Sequence, residues 1–124
     1  VVKVGNFGFA RMRASDAERA CMTSDVGTLF WMAPEILRHE YYDFRVDVYS
    51  FAIVLYELSL RRTPFSDLDA CSFQMTVAVG GRPDVRDIPA ACPAALVRLM
   101  QSCWAHDPAA RPGFADIAAA LVQK

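Results

Sequence analysis

The chain opens on Val1-Val2-Lys3-Val4, whose β-branched residues suit a pleated surface and predict a short strand. Gly5 and Gly8 then bracket Asn6-Phe7 and permit sharp backbone turns. From Arg11 to Asp25 polar and apolar residues mix without a period, which predicts a long loop, and loops of that length commonly carry function. Beyond it the pattern turns helical. Pro34 to Arg38 reads as a short helix with proline first, where the missing N–H would be unpaired anyway. Val46 to Leu60 is apolar on nearly every side, with Asp47 and Glu57 its only charges, and predicts a helix buried all round. Asp69 to Val79 predicts another helix, stopped by Gly80-Gly81. Pro93 to Trp104 and Pro112 to Val122 each open on proline and are separated by the turn-prone Ala105-His106-Asp107-Pro108. In the last helix Phe114, Ile117, Leu121 and Val122 recur at helical spacing and define one buried face. The expected fold class is mainly α, one unit over residues 1–124, with a short irregular β edge at its N-terminus.

Composition sharpens this picture. Hydrophobic residues make up 54% of the 124 positions and charged ones 22%, so a sizeable core is meant to be buried. Thirteen basic residues against fourteen acidic ones, without a long run of either sign, leave no footprint for nucleic acid or an anionic membrane. Val48 to Tyr56, the longest apolar stretch, falls far short of the ~18 residues that span a bilayer. Cys21, Cys71, Cys92 and Cys103 are widely spaced, with no CxxC pair and no histidine at metal-ligand spacing, and read as reduced thiols. With no secretion-type segment in view, a cytosolic or nuclear setting is the default expectation.

Several short motifs follow one another in order. They are Asn6-Phe7-Gly8, Gly27-Thr28 before Trp31-Met32-Ala33-Pro34-Glu35, Asp47-Val48-Tyr49-Ser50-Phe51, Cys103-Trp104, and Asp107-Pro108 before Arg111-Pro112. In this order and spacing the chain resembles the second half of a eukaryotic protein kinase domain. Gly-Thr before Trp-Met-Ala-Pro-Glu is similar to the serine/threonine kinases, and Asp-Val-Tyr-Ser-Phe with the Cys-Trp ending resembles their tyrosine-kinase-like branch. The resemblance implies ATP and magnesium as cofactors and a protein as substrate or partner. It also implies parts that residues 1–124 do not contain: a Gly-rich phosphate loop, a strand lysine and a His-Arg-Asp catalytic loop. No catalytic residue is therefore assigned, and the isolated chain is expected to be inactive.

The resemblance gives individual residues their expected roles. Asn6 stands where the family has the metal-binding Asp; an amide supplies no charge to offset magnesium, so binding there should be much weakened. A plain turn residue and a weak remnant of the metal or nucleotide site both remain open for it. Phe7 matches the phenylalanine of the same motif and is expected to anchor the N-terminal strand. Ser15, Thr23 and Ser24 lie in what resembles the activation loop; they are candidate phosphosites, with solvated hydroxyls the favoured reading. Thr28 matches the substrate-loop threonine that contacts the catalytic Asp in the family, and here it is left to the local backbone. Glu35 and Arg111 match a structural ion pair that clamps the substrate loop to the helical core. Asp47 matches a helix carboxylate that accepts from the catalytic loop, so here either a substitute donor or an exposed surface along one side of its helix is expected. Trp31 and Trp104 read as core aromatics. Two other readings stand beside this one: a pseudokinase-type protein-binding module, suggested by Asn6, and an unrelated helical interaction domain.

Overall fold

The computed structural model describes residues 1–10 and 26–122. Five α-helices form its body: α1 Pro34–Leu37, α2 Arg45–Leu60, α3 Ala70–Ala78, α4 Ala94–Cys103 and α5 Phe114–Val122. Short 3-10 turns at Phe7–Phe9, Val26–Trp31, Val85–Asp87 and Pro108–Ala110 link them. Among the described residues there is no strand, and none of the helices is long and apolar enough to cross a membrane. Val1 to Val4 stay solvent-exposed without a ladder, because a strand persists only where another backbone takes up its N–H and C=O groups.

The helix ends follow local chemistry. Pro34 opens α1 at a position that has no use for an N–H. Asp69 caps α3, its carboxylate accepting from the Ser72 amide at 2.8 Å. At the other end of α3 the Gly81 amide donates to Thr76 O at 2.8 Å and the Gly80 amide to Val77 O at 3.1 Å. With Gly80 at φ 105, this is the left-handed stop that satisfies the last carbonyls of a helix. Helix α5 begins at Phe114, two residues later than the proline pattern indicates.

The core is assembled around α2, whose 16 residues make a rod about 24 Å long. Val48, Tyr49, Ala52 and Ile53 are fully buried, joined by Phe73 and Val77 of α3, Met100 and Cys103 of α4 and Ile117 of α5. Phe73 takes the rings of Phe30 and Phe65 edge-on, at 5.0 and 5.1 Å between centres, an arrangement aromatic quadrupoles favour. The expectation of all-round burial does not hold for α2. Asp47, Val54 and Leu58 lie on one exposed side, Leu58 at 68%. These positions recur at helical spacing, so the open side is a continuous strip with apolar members rather than scattered exposure.

Two glycines separate conformational need from incidental use. A Cβ at Gly81 would sit 2.6 Å from Thr76 O, whereas at Gly5 it would meet nothing. Gly81→Ala should therefore lower stability by roughly 1–3 kcal/mol through overpacking, and Gly5→Ala should leave it unchanged. Urea unfolding of the two variants beside the parent chain checks this.

Candidate functional site

The segment Val26–Trp31 runs beside α2 and is fastened to it twice. The Ser50 hydroxyl donates to the Trp31 carbonyl at 2.7 Å, and the Trp31 indole N–H donates to Glu57 Oε2 at 3.1 Å. Ser50 and Glu57 lie two helical turns apart, so the backbone and the ring of a single residue grip one face of α2. Trp31 is thus more than a core aromatic: it is half-buried and joins the segment carrying Thr28 to the helix. Phe30 completes the attachment by packing on Phe73 of α3.

Immediately after it, Ala33 is fully buried and α1 begins. Glu35 lies in the first turn of α1, where the helix dipole favours a negative charge. Arg111 Nη1 donates to Glu35 Oε1 at 2.7 Å and Nη2 to Oε2 at 2.9 Å, a bidentate pair. Both residues are sealed from solvent, 2% and 4% exposed. Arg111 also donates to Ala105 O at 2.9 Å and Arg45 O at 3.0 Å. One guanidinium therefore binds α1, the start of α2 and the turn after α4. The Glu35–Arg111 pairing expected from the sequence is present in full.

Beneath this pair lies Tyr49, with the Arg82 and Arg111 guanidinium carbons 5.0 and 5.3 Å from its ring centre. Stacked cations of this kind are attracted to the negative face of the ring. Burial pushes the Tyr49 phenol up to about 12, and its hydroxyl has no hydrogen-bond partner among the described residues. Arg82 is itself held by Trp104 O at 2.8 Å and Gly81 O at 2.6 Å, while desolvation lowers its pKa. No periodic signal in the sequence marks Arg82, Ser50 or Glu57 for these tasks. Only the Gly-Gly stop before Arg82 indicates that the chain turns back there.

The remaining expected residues divide. Asp47 lies on the exposed strip of α2 and its carboxylate makes no hydrogen bond among the described residues, the second of its two expected outcomes. Although the residue is exposed, surrounding protein displaces enough water to raise its carboxyl pKa above the ordinary 3.8. Asn6 adopts a left-handed backbone with φ 59 and makes no cap with its side chain, which suits a turn residue. It does not suit magnesium. Among the described residues no three acidic, histidine or cysteine groups converge to hold a metal, and one amide oxygen is a poor donor set for a hard dication. Phe7 is 67% exposed, so it anchors no strand. Thr28 lies in the segment fastened by Trp31. Ser15, Thr23 and Ser24 lie outside the described residues.

The sequence model of the protein tyrosine and serine/threonine kinase family matches residues 1–121. The chain is 44% identical over 124 residues to serine/threonine-protein kinase STY17 of Arabidopsis thaliana, covering 99% of this chain and 21% of that protein. It is 38% identical over 120 residues to serine/threonine/tyrosine-protein kinase HT1 of the same plant, covering 97% and 30%. To the probable serine/threonine-protein kinase drkC of Dictyostelium discoideum it is 35% identical over 116 residues, covering 94% and 15%. The chain thus spans less than a third of each of these relatives. The family match overturns the reading as an unrelated helical domain.

The raised Asp47 pKa has a definite sign. The folded chain holds this proton more tightly than the unfolded one, so ionisation weakens the fold as pH rises from 3.8 through the raised folded value. Asp47→Asn should stabilise the chain at neutral pH, and the gain should vanish below pH 3.8. Urea midpoints of parent and variant across acid and neutral pH would show it.

Proposed function

The chain belongs to the protein tyrosine and serine/threonine kinase family, and from that footing we propose that it forms the C-terminal portion of a serine/threonine kinase domain. In this reading it shapes and holds the substrate loop, and phosphate passes from ATP to a protein hydroxyl only when a nucleotide-binding lobe and catalytic loop are joined to it. We place that activity in the cytosol or nucleus. The observation carrying the proposal is the exposed side of α2. A carboxylate without a donor among the described residues, in line with Val54 and Leu58 on the helix at the centre of the core, is what a surface awaiting another segment of the same domain presents. The Glu35–Arg111 clamp supports the same reading, since it joins the loop segment to the helices that carry it.

Phosphoryl transfer depends on charges positioned around the phosphates and the acceptor hydroxyl rather than on covalent chemistry by the protein. The residues described here supply a scaffold for such charges, and no step is assigned to them. A second reading, a pseudokinase-type module that works by binding a partner protein, is favoured by Asn6 alone. Its neutral amide replaces the carboxylate that a metal-dependent transferase needs at that place.

Radiolabelled phosphate transfer to a generic serine/threonine substrate separates these readings. The isolated chain and its Asn6→Asp variant should both be silent. Joined behind the preceding part of the STY17 kinase domain, the Asn6→Asp form should transfer phosphate well above the Asn6 form. Transfer by the isolated chain would contradict the proposal, and a silent Asn6→Asp chimera of intact fold would favour the binding module.

A further inference from the structure

Past the end of α2 the surface opens into a cleft of about 450 Å³ lined by Glu57, Leu58, Arg61, Arg62 and Thr63. The cleft adjoins the substrate-loop segment, because Glu57 is the residue that accepts from the Trp31 indole. Its lining holds two arginines and one glutamate, and that glutamate already accepts from Trp31. Arg61 turns the chain out of α2 at φ 55, and its guanidinium makes no ion pair among the described residues. Arg62 reaches Asp87 at 2.9 Å, but the two side chains are 61% and 48% exposed, and so open a pair exchanges readily for a competing anion.

We propose that this cleft gives the kinase domain its substrate preference, with Arg61 and Arg62 gripping an acidic segment of the protein substrate beside the hydroxyl to be phosphorylated. The proposal rests on the kinase reading and names its substrate class. Guanidinium forks match carboxylates in bidentate geometry, and Arg61 has no carboxylate partner among the described residues. The Thr63 hydroxyl adds a neutral donor, and Leu58 gives the cleft an apolar wall for the peptide backbone to lie against. Glu57 would favour a basic segment instead. Against that stand its engagement with Trp31 and the two cations beside it.

The test is fluorescence anisotropy of the 124-residue chain with short labelled peptides, each holding one serine flanked by glutamates, alanines or lysines. The glutamate peptide should bind about tenfold more tightly than the alanine peptide, with the advantage fading at high salt. Arg61→Gln with Arg62→Gln should erase the advantage, and Arg61→Glu with Arg62→Glu should reverse it toward lysine. Circular dichroism of each variant confirms that the fold is kept, and the milder glutamine pair carries the test if the glutamate pair does not fold. Equal binding of the glutamate and alanine peptides, tighter binding of the lysine peptide, or an advantage that survives in the glutamine pair would overturn the proposal. Because binding is read without phosphate transfer, such a failure leaves the kinase reading to its own assay.

Discussion

The contact between Glu35 and Arg111 joins residues 76 positions apart, and the remaining architecture depends on it. A buried ion pair loses hydration on both sides, and only close geometry with further hydrogen bonds offsets that loss. Here the geometry is bidentate, and the carbonyls of Ala105 and Arg45 also accept from Arg111. The pair therefore fixes position as much as it adds stability. It sets where α1 lies, and α1 follows directly on the segment that Trp31 fastens to α2. A shift of Arg111 would be felt at once by two backbones and by the Glu35 side chain.

Helix α2 is the second constraint. One of its sides is buried against α4 and the Tyr49 cluster, whereas the side bearing Asp47, Val54 and Leu58 is open. A helix at the centre of a core usually has no open side. The division explains why α2 can hold the Val26–Trp31 segment through Ser50 and Glu57 and yet keep another side open. A cleft lined by Arg61 and Arg62 lies at the end of the same helix.

Much of this was legible in the sequence because helices announce themselves through punctuation. Pro34, Asp69, Gly80 and Gly81 set helix ends to within a residue or so, and the motif order identified Glu35, Arg111 and Asp47. The errors share one cause. Val1 to Val4 read as a strand on local propensity and Phe7 as its anchor on a motif match, yet a strand or an anchor exists only with a partner, which neither signal reports. The fully apolar look of α2 likewise could not reveal which side faces solvent. Long-range contacts such as Trp31 with Glu57 and Arg82 over Tyr49 leave no periodic trace, so they emerge only from packing.

The central claim is that the buried Glu35–Arg111 pair, and not hydrophobic packing alone, holds the loop segment on the helices. A double-mutant cycle with Glu35→Gln, Arg111→Met and both together, read by urea unfolding, isolates the coupling between the two side chains. The account predicts a coupling of at least about 2 kcal/mol, with each single variant strongly destabilised because its partner is left charged and buried. A coupling below about 0.5 kcal/mol, the scale of exposed surface pairs, would contradict it.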